Sequence, residues 1–329
     1  MLSCYVVDGT EDSESFDYAH DYNGIEEWFL SWKLSVIRRI WYYSKSKNSE
    51  GMSLIRPFLK WVGGKGRVIA QLEQYFPKSY NNYFEPFVGG GAVYFHIKTK
   101  KATINDINTS LMGAYINVRD NVDIIIKELA KLQKKYYALD LDAQKKMFYK
   151  IRNEYNAIND KDSIRRSSLL IFLNKTCFNG MYRENRKGGF NVPFNNNRKP
   201  SICDEANLRS TSEQLKNTTI LSGTYSSAIK KAKIEDFIYF DPPYYPLNQT
   251  SNFTSYTEGD FDEKDQIELK ELFDELTARG CKVMMSNSYT KFIISLYKDY
   301  KQYKIYVGRS INSNGSKRGK IAEIVIINY

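Results

Sequence analysis

The sequence predicts an α/β fold with a doubly wound, Rossmann-like sheet and an inserted, mainly helical segment. Seven short apolar runs recur along the chain, and each has the length of a buried strand. Amphipathic helical stretches such as 262–278 separate several of the runs, and this alternation is typical of sheets covered by helices. Residues 109–203 interrupt the alternation with long helical stretches and a Gly- and Asn-rich basic stretch.

Each element follows from a local pattern. The predicted strands are 83–87, 102–106, 218–221, 236–240, 282–286, 303–307 and 323–328, and the predicted inserted helices are 120–137, 142–158 and 165–174. Before them, an acidic stretch leads to an amphipathic helix over 25–43 and a linker. The chain therefore divides into an N-terminal extension (1–51), a main α/β domain (52–108 and 204–329) and an inserted domain (109–203).

Composition excludes several classes of function. The 329 residues are 42% hydrophobic and 26% charged, and they include two histidines and four scattered cysteines without a CxxC pair. The sequence therefore has too few histidines and closely spaced cysteines to favour a multi-histidine metal centre, a zinc site or a disulfide framework. No stretch reaches the ~18–20 apolar residues of a membrane span, and no signal peptide is evident, so a cytoplasmic protein without a metal is expected.

Positive charge is concentrated in the inserted segment. The chain carries a net charge of +10, whereas its first 51 residues hold five basic and nine acidic side chains. Eight basic residues and one acid, Glu184, lie within 165–199; the basic ones are Arg165, Arg166, Lys175, Arg183, Arg186, Lys187, Arg198 and Lys199. Interleaved with aromatic residues, they indicate a nucleic-acid surface, although a solvated loop explains the charge about equally well.

A glycine-rich turn follows the first predicted strand in FEPFVGGGAVYFHI (84–97). Glycines let the backbone approach a ligand, and the start of a helix directs amides at it. The spacing is not the GxGxxG of a dinucleotide fold, and a tight turn explains it about as often. Asp106 ends the second strand, where α/β folds hydrogen-bond ribose hydroxyls; a helix N-cap is an equally good reading.

The strongest signal is Asp241-Pro242-Pro243-Tyr244, directly after the apolar run 236–240. Two successive prolines stop the chain at the carboxyl end of a strand and fix its shape. Asp241 and the Pro242 carbonyl then offer two acceptors, and Tyr244 offers a flat face. This arrangement suits a heteroaromatic ring bearing an NH2 group, whose lone pair becomes more nucleophilic when both acceptors draw it out of the ring plane.

The segment PFLKWVGGKGR (57–67) has the look of a phosphate-binding loop. The GxxxxGK spacing fails, however, and no Ser or Thr follows Lys65, so the sequence argues against a P-loop. A Gly-Gly turn with Lys60 and Lys65 beside Trp61 is suited to bind an acidic group instead.

In this order, the four segments resemble the Dam-type DNA adenine-N6 methyltransferases of the alpha group. The resemblance covers residues 52–329 and includes PFLKWVGGK, FEPFVGGGAV, NDIN, the DPPY region, SNS (286–288) and RGKIAEIVIINY. The string FLNKTCFNGMYRENRKGGFNVPF narrows it to GATC-recognising members. The resemblance implies a seven-stranded methyltransferase sheet as the catalytic domain and a target-recognition domain over 109–203.

The resemblance also implies which residues hold the cofactor and the target base. S-adenosyl-L-methionine is expected to lie against Trp61, Lys65, Phe87, Gly89, Gly91, Asp106 and Asp241. The target adenine is expected to be held by Asp241, Pro242, Pro243 and Tyr244, whose ring stacks on the extruded base. The family pattern is not complete, because LSGTYSS (221–227) offers no acidic residue to carry over.

The expected contacts to DNA come from the same resemblance. They are Lys60, Phe178, Asn179, Met181, Arg183 and Pro193. Lys60 resembles a contact to the first guanine, and Arg183 resembles the arginine that reads the guanine paired to the last base. Phe178 would fill the stack, Asn179 would contact a phosphate or the orphan base, and Met181 and Pro193 would make apolar contacts to neighbouring bases.

The resemblance therefore implies transfer of a methyl group to N6 of a flipped adenine in GATC, on double-stranded DNA and without a metal. A methyltransferase acting on RNA or on a protein amide is the alternative, although amide-directed relatives tend to carry Asn in place of Asp241. A decayed DNA-binding protein is the non-enzyme alternative, but neither the glycines nor DPPY looks eroded. A monomer associated with the nucleoid is expected, and a cognate restriction endonuclease is a possible partner.

Overall fold

The computed structural model describes part of the chain. It covers residues 55–329 except Lys98, Lys100, Asp162, Arg186, Arg198, 248–260 and 309–319. The predicted N-terminal extension (1–51), including the helix over 25–43, lies outside the described residues. Two members of the basic cluster, Arg186 and Arg198, lie outside them as well.

The fold is organised by one seven-stranded sheet with the strand order β3-β2-β1-β4-β5-β7-β6. The strands are β1 (Tyr83–Glu85), β2 (Ala102–Asp106), β3 (Thr218–Ser222), β4 (Phe237–Phe240), β5 (Lys282–Ser288), β6 (Lys301–Gly308) and β7 (Lys320–Ile327). Strands β1 to β5 pair in parallel, and β7 runs antiparallel between β5 and β6. Each predicted apolar run contributes a strand, so the α/β prediction with seven strands is confirmed.

The central strands are apolar without interruption because both faces of the sheet are covered. In β4, Phe237 and Tyr239 join the hydrophobic core that includes the inserted helices. Ile238 and Phe240 join a second core on the opposite face. Successive side chains of a strand point to opposite faces, so the four buried residues of β4 supply two to each core.

The helices lie around this sheet. They are α1 (Ile69–Leu72), α2 (Ala92–Ile97), α3 (Thr109–Asp120), α4 (Val122–Tyr137), α5 (Leu141–Ala157), α6 (Ile164–Thr176), α7 (Glu205–Leu215), α8 (Tyr225–Ala228), α9 (Glu263–Ala278) and α10 (Lys291–Leu296). Side chains of Asn108, Asp140 and Ser163 accept from backbone amides at the starts of α3, α5 and α6. Helices α3 to α6 lie between β2 and β3, where the insertion was predicted.

The inserted segment ends in an irregular hairpin, which we call the basic hairpin (residues 177–194). Antiparallel bridges join Cys177 to Phe194 and Glu184 to Phe190. The backbone amide of Phe178 donates to the Pro193 carbonyl at 2.9 Å. These contacts bring the two ends of the hairpin together, next to the end of α6.

Strand order fixes where a ligand site can form. Strands β2 and β4 flank β1, and the chain leaves β1 towards β2 and β3 but later builds β4 and β5 on the other side. The boundary between β1 and β4 is therefore the topological switch point, and ligands of such sheets bind beyond the carboxyl ends of the strands there. The glycine turn follows β1, Asp241 follows β4, and Asp106 ends the neighbouring β2 at the same edge of the sheet.

Candidate active site

Asp241 follows β4 at the switch point and forms an ion pair with Lys65. Lys65 Nζ lies 2.7 Å from Asp241 Oδ1, and it also donates to the Gly63 carbonyl at 2.9 Å. The lysine side chain is only 6% exposed. Burial raises the pKa of Asp241, and the Lys65 ammonium opposes that rise. The Gly-Gly turn of residues 57–67 thus supplies a cation to an acidic group of this chain.

The ring of Tyr244 belongs to the same cluster. Lys65 Nζ lies 4.8 Å from its centroid. The Tyr244 hydroxyl donates to Glu323 Oε2 at 2.9 Å, and burial raises the pKa of Glu323. Glu323 is in β7 and pairs with Ser288 of the antiparallel neighbour, which brings it to the edge where the parallel strands end.

Two buried side-chain amides form hydrogen bonds with the turn of the DPPY residues and the residue that follows it. Gln266 Nε2 donates to the Pro243 carbonyl at 2.9 Å, and Asn287 Oδ1 accepts from the Tyr245 amide at 3.1 Å. Asn287 Nδ2 in turn donates to Gln266 Oε1 at 2.9 Å. The prolines limit the backbone and these bonds limit its position, so Asp241 is presented on a rigid support.

Asp106 is directed at the glycine turn. Its Oδ2 accepts from the Gly89 amide at 3.0 Å, and its Oδ1 accepts from the Asn108 amide at 2.9 Å. Burial raises the pKa of Asp106, and these backbone bonds oppose the rise. The N-cap of α3 is Asn108, whose Oδ1 accepts from the Leu111 amide, so the N-cap reading of Asp106 is wrong.

Two glycines of the turn have backbone conformations that side chains rarely adopt. Gly89 has φ +47° and Gly91 has φ +73°. A Cβ at Gly89 would lie 2.9 Å from Trp61 Cδ1, and a Cβ at Gly91 would lie 2.6 Å from Tyr115 Oη. Trp61 therefore lies directly over the turn, and the turn cannot accept larger residues without moving its neighbours.

Phe87 forms an aromatic cluster beside the glycine turn. Its ring stacks on Tyr225 with centroids 5.1 Å apart and an interplanar angle of 26°. Phe261 meets Phe87 edge-on at 5.9 Å. Tyr225 belongs to LSGTYSS, a segment in which the sequence analysis assigned no functional residue. The signal that could have identified Tyr225 was an aromatic side chain just beyond the end of β3.

The residues predicted to contact DNA gather on and beside the basic hairpin. Phe178 is 47% exposed, and Asn179 has φ +56°, a left-handed conformation that asparagine tolerates better than most residues. Arg183 Nε donates to Asn191 Oδ1 at 2.7 Å, which holds the arginine across the hairpin. Met181 is half-buried beside it.

The buried side chain of Asn174 links the backbone of Lys60 to the basic hairpin. Asn174 Oδ1 accepts from the Lys60 amide, and Asn174 Nδ2 donates to the Lys60 carbonyl, both at 2.9 Å. The same Nδ2 donates to the Gly180 carbonyl at 3.0 Å. Three backbone groups from two segments therefore depend on one amide.

Comparison with known proteins places the chain in a family. The family model of the D12 class N6 adenine-specific DNA methyltransferases matches residues 61–311. The chain belongs to this family.

Three relatives align with this D12-class methyltransferase over nearly their whole length. It is 45% identical over 287 residues to the Type II methyltransferase M.MjaIII of Methanocaldococcus jannaschii, with 84% of this chain and 99% of the relative covered. It is 39% identical over 280 residues to the Type II methyltransferase M1.LlaDCHI of Lactococcus lactis (84% and 96%). It is 32% identical over 272 residues to the DNA adenine methylase of Escherichia coli K12 (83% and 95%). It is therefore an adenine-specific DNA methyltransferase.

The structure corrects the prediction that the basic residues of 165–199 all contribute to one surface of this methyltransferase. Arg166 is buried and donates to the Ile158 carbonyl at 2.7 Å, with its guanidinium 3.9 Å from the Tyr155 ring centroid. Arg165 forms ion pairs with Glu128 and Glu154. Both arginines therefore hold helices together, and the predicted surface is less basic than the sequence count indicates.

Two acidic residues of the site were not singled out by sequence reasoning. Glu323 was part of a matched string but had no role, and its contact with Tyr244 depends on the pairing of β7. Glu85 is buried, and its Oε2 accepts from the Tyr83 hydroxyl at 2.7 Å. Burial raises the pKa of Glu85 to about 8. The signal in the sequence that could have identified Glu85 was an acidic residue within an apolar strand.

A cavity of about 240 Å³ lies apart from Asp241 and the glycine turn. Its lining includes Arg56, Lys175, Asp204 and Lys60, and Lys60 is the one lining residue that is also expected to contact DNA. Among the described residues, no helix is long and apolar enough to span a membrane. In the same part of the chain, no group of three His, Cys, Asp or Glu side chains could hold a metal.

Proposed function

We propose that this methyltransferase transfers a methyl group from S-adenosylmethionine to N6 of a flipped adenine, in GATC sequences of double-stranded DNA. The observation that supports the reaction best is the cluster of Asp241, Tyr244 and Lys65 at the switch point, one strand away from the glycine turn and two strands away from Asp106. The GATC assignment rests on the resemblance of residues 172–194 to GATC-recognising members.

The residues around the glycine turn fit S-adenosylmethionine. The Asp106 carboxylate accepts from the backbone amides of Gly89 and Asn108, and its remaining acceptor capacity suits a ribose hydroxyl. The half-buried rings of Phe87 and Tyr225 offer flat apolar surface to an adenine ring. Trp61, Gly89 and Gly91 are assigned to the same ligand. When bound, S-adenosylmethionine supplies a sulfonium-activated methyl group, so the protein needs no metal to activate the donor.

The chemistry left to the protein is positioning and hydrogen bonding. Asp241 and the Pro242 carbonyl accept from the adenine amino group, Pro243 fixes the turn, and Tyr244 stacks on the ring. The amino nitrogen loses one proton when it gains the methyl group. Burial raises the pKa of Asp241, which makes its carboxylate the better proton acceptor for that step.

Lys65 and the substrate share Asp241 in this mechanism. The Lys65 ammonium lies 2.7 Å from Asp241 Oδ1, and the carboxylate keeps further lone pairs that can accept from the adenine amino group. Before the base arrives, Lys65 supplies the half-buried carboxylate with a counter-charge and a hydrogen bond. Lys65 then remains beside the site, where it is assigned to the cofactor.

Flipping the base out of the duplex requires a few kcal/mol, which stacking and edge hydrogen bonds return. Phe178 is assigned to fill the stack, and Asn179 to bind a phosphate or the orphan base. Arg183 and Lys60 are assigned to guanines, and Met181 and Pro193 to apolar contacts with neighbouring bases. A bidentate arginine–guanine contact contributes roughly 1–3 kcal/mol of discrimination.

The test of the proposal is transfer of labelled methyl groups to duplexes with GATC and with one base pair of it changed. We expect incorporation only into the first duplex. Equal incorporation into both would contradict the GATC assignment, and incorporation only into an RNA duplex would contradict DNA as the substrate.

Asp241→Ala tests the catalytic assignment. It removes an acceptor for the amino group, so we expect methylation to be lost while duplex binding, measured by fluorescence anisotropy, stays within a few-fold of wild type. A variant with near-normal turnover would refute the mechanism.

Arg183→Ala tests the reading of guanine. It should reduce the preference for GATC by about 5- to 150-fold, corresponding to the loss of one bidentate contact, and should affect non-specific binding less. Uniform weakening on all duplexes in a competition assay would contradict the assigned role.

A further inference from the structure

Trp61 touches both the glycine turn and the basic hairpin. On one side, a Cβ at Gly89 would lie 2.9 Å from Trp61 Cδ1, and a Cβ at Gly90 would lie 3.2 Å from Trp61 Cβ. The tryptophan therefore rests on the backbone of the turn that is assigned to the cofactor. Any change in the position of the turn acts on the ring directly, because no space separates them.

On the other side, the Trp61 ring stacks on Tyr182 of the basic hairpin. The centroids are 4.8 Å apart, and the planes differ by 18°. Tyr182 also meets Phe190 edge-on at 5.8 Å, and its hydroxyl donates to Glu184. The ring is thus enclosed by Trp61 and by the opposite side of the hairpin.

Tyr182 directly precedes Arg183, the residue assigned to guanine. Arg183 is held from the far strand of the hairpin, where its Nε donates to Asn191 Oδ1 and its carbonyl accepts from the Asn191 amide at 3.0 Å. The stack on Trp61 and the contacts with Asn191 therefore constrain the backbone of Arg183 from two directions. Loss of the stack removes the constraint that comes from the side of the glycine turn.

We infer that Tyr182 is a positioning residue for sequence specificity, whose stack on Trp61 couples occupancy of the glycine turn to the placement of Arg183. Cofactor bound at the turn then sharpens discrimination between the recognition sequence and sequences that differ by one base pair. The inference rests on the proposed function, because it uses the assignments of the turn and of Arg183.

Coupling of this kind has a reciprocal signature. If the cofactor increases affinity for the recognition sequence by some factor, that sequence must increase affinity for the cofactor by the same factor. A residue that only stabilises the hairpin would change both affinities without changing this factor. The coupling factor therefore separates positioning from a purely structural role.

The experiment measures the affinity of the full chain for a cognate duplex and for a duplex with one changed base pair. Each measurement is made with and without S-adenosylhomocysteine, by fluorescence anisotropy. The variants are Tyr182→Leu, which removes the ring, and Tyr182→Phe, which keeps it. Tyr149→Leu is the matched control, because Tyr149 is a half-buried tyrosine of α5 in the same inserted segment that packs on Phe148 and Arg152.

We expect S-adenosylhomocysteine to improve cognate discrimination by wild type by about 10-fold, within the usual range of coupling. The improvement should persist in Tyr182→Phe and Tyr149→Leu and fall to at most about 2-fold in Tyr182→Leu. The same factors should appear as the ratio of the S-adenosylhomocysteine affinities measured with saturating cognate duplex and with saturating changed duplex.

Three results would overturn the inference. They are a wild-type chain without coupling, a Tyr182→Leu variant with wild-type coupling, and loss of coupling in Tyr149→Leu to the same degree. The wild-type result needs no variant to fold. Failure of the proposed function is seen separately, as absence of methyl transfer to GATC; if another sequence is methylated, it serves as the cognate duplex and the coupling is still tested.

Discussion

Replacing Glu323 tests whether the orientation of Tyr244 matters for catalysis. The Tyr244 hydroxyl donates to Glu323 Oε2 at 2.9 Å, and the ring it anchors is assigned to stack on the adenine. Glu323 comes from β7, far along the chain from DPPY, and it contacts this motif only through that hydroxyl in the hydrogen bonds described above. The perturbation acts on how firmly the ring is held, and it also removes a negative charge that interacts with Lys65 and Asp241.

The size of the effect follows from the kind of hydrogen bond. A bond to a charged acceptor contributes about 1.5–3 kcal/mol, and a neutral one contributes about 0.5–1.5 kcal/mol. Glu323→Gln keeps an acceptor oxygen, so we expect a loss of about 1 kcal/mol, or ~5-fold in kcat. Glu323→Leu removes the acceptor and leaves the hydroxyl without it, so we expect about 2 kcal/mol, or ~30-fold.

The assay is steady-state methyl transfer, with cofactor affinity measured separately by calorimetry. We expect kcat to fall in the order wild type, Glu323→Gln, Glu323→Leu, with cofactor affinity unchanged. Glu271→Gln, on the exposed side of α9, is the control for a change of charge. Wild-type kcat in both Glu323 variants would refute the reasoning, because the ring would then need no anchor.

Two further substitutions test the glycine turn and the buried acid. Gly91→Ala should lower the free energy of unfolding by about 2–4 kcal/mol, because φ is +73° and the new Cβ would lie 2.6 Å from Tyr115 Oη. Gly66→Ala, with no atom within 4 Å of the new Cβ, should be neutral or slightly stabilising in the same urea titration; equal losses would contradict this. Burial raises the pKa of Glu85 from 4.5 to about 8, so the folded chain keeps a proton that the unfolded chain releases. That contribution to stability is complete below about pH 4.5 and is lost towards pH 8, at up to about 1.4 kcal/mol per pH unit. Glu85→Gln should flatten the decline in urea titrations between pH 5 and 8, and a slope equal to that of wild type would count against the assignment.

The ion pair of Lys65 and Asp241 explains how the carboxylate that we propose to be catalytic is kept within the fold. An unpaired charge that is largely removed from water is costly, and Lys65 provides both a counter-charge and a hydrogen bond. The same carboxylate retains a raised pKa because burial outweighs the neighbouring ammonium.

Local patterns in the sequence determined the elements of the fold. Apolar runs with both faces buried and capped helices are encoded within a few residues, so all seven strands could be predicted. The DPPY turn, the glycine turn and Asp106 could be located for the same reason, because the two turns directly follow strands and Asp106 ends one. Their proximity was also predictable, since parallel strands end at one edge of the sheet.

Tertiary structure decided which distant residues complete the site. Glu323 reaches Tyr244 because β7 inserts antiparallel beside β5, and Tyr182 reaches Trp61 because the basic hairpin folds back on residues 57–67. Burial removed Arg166 from the predicted basic surface, and ion pairs with Glu128 and Glu154 neutralise the half-buried Arg165. Such contacts depend on strand order and on the packing of separate segments, and the spacing of residues along the chain determines neither of them.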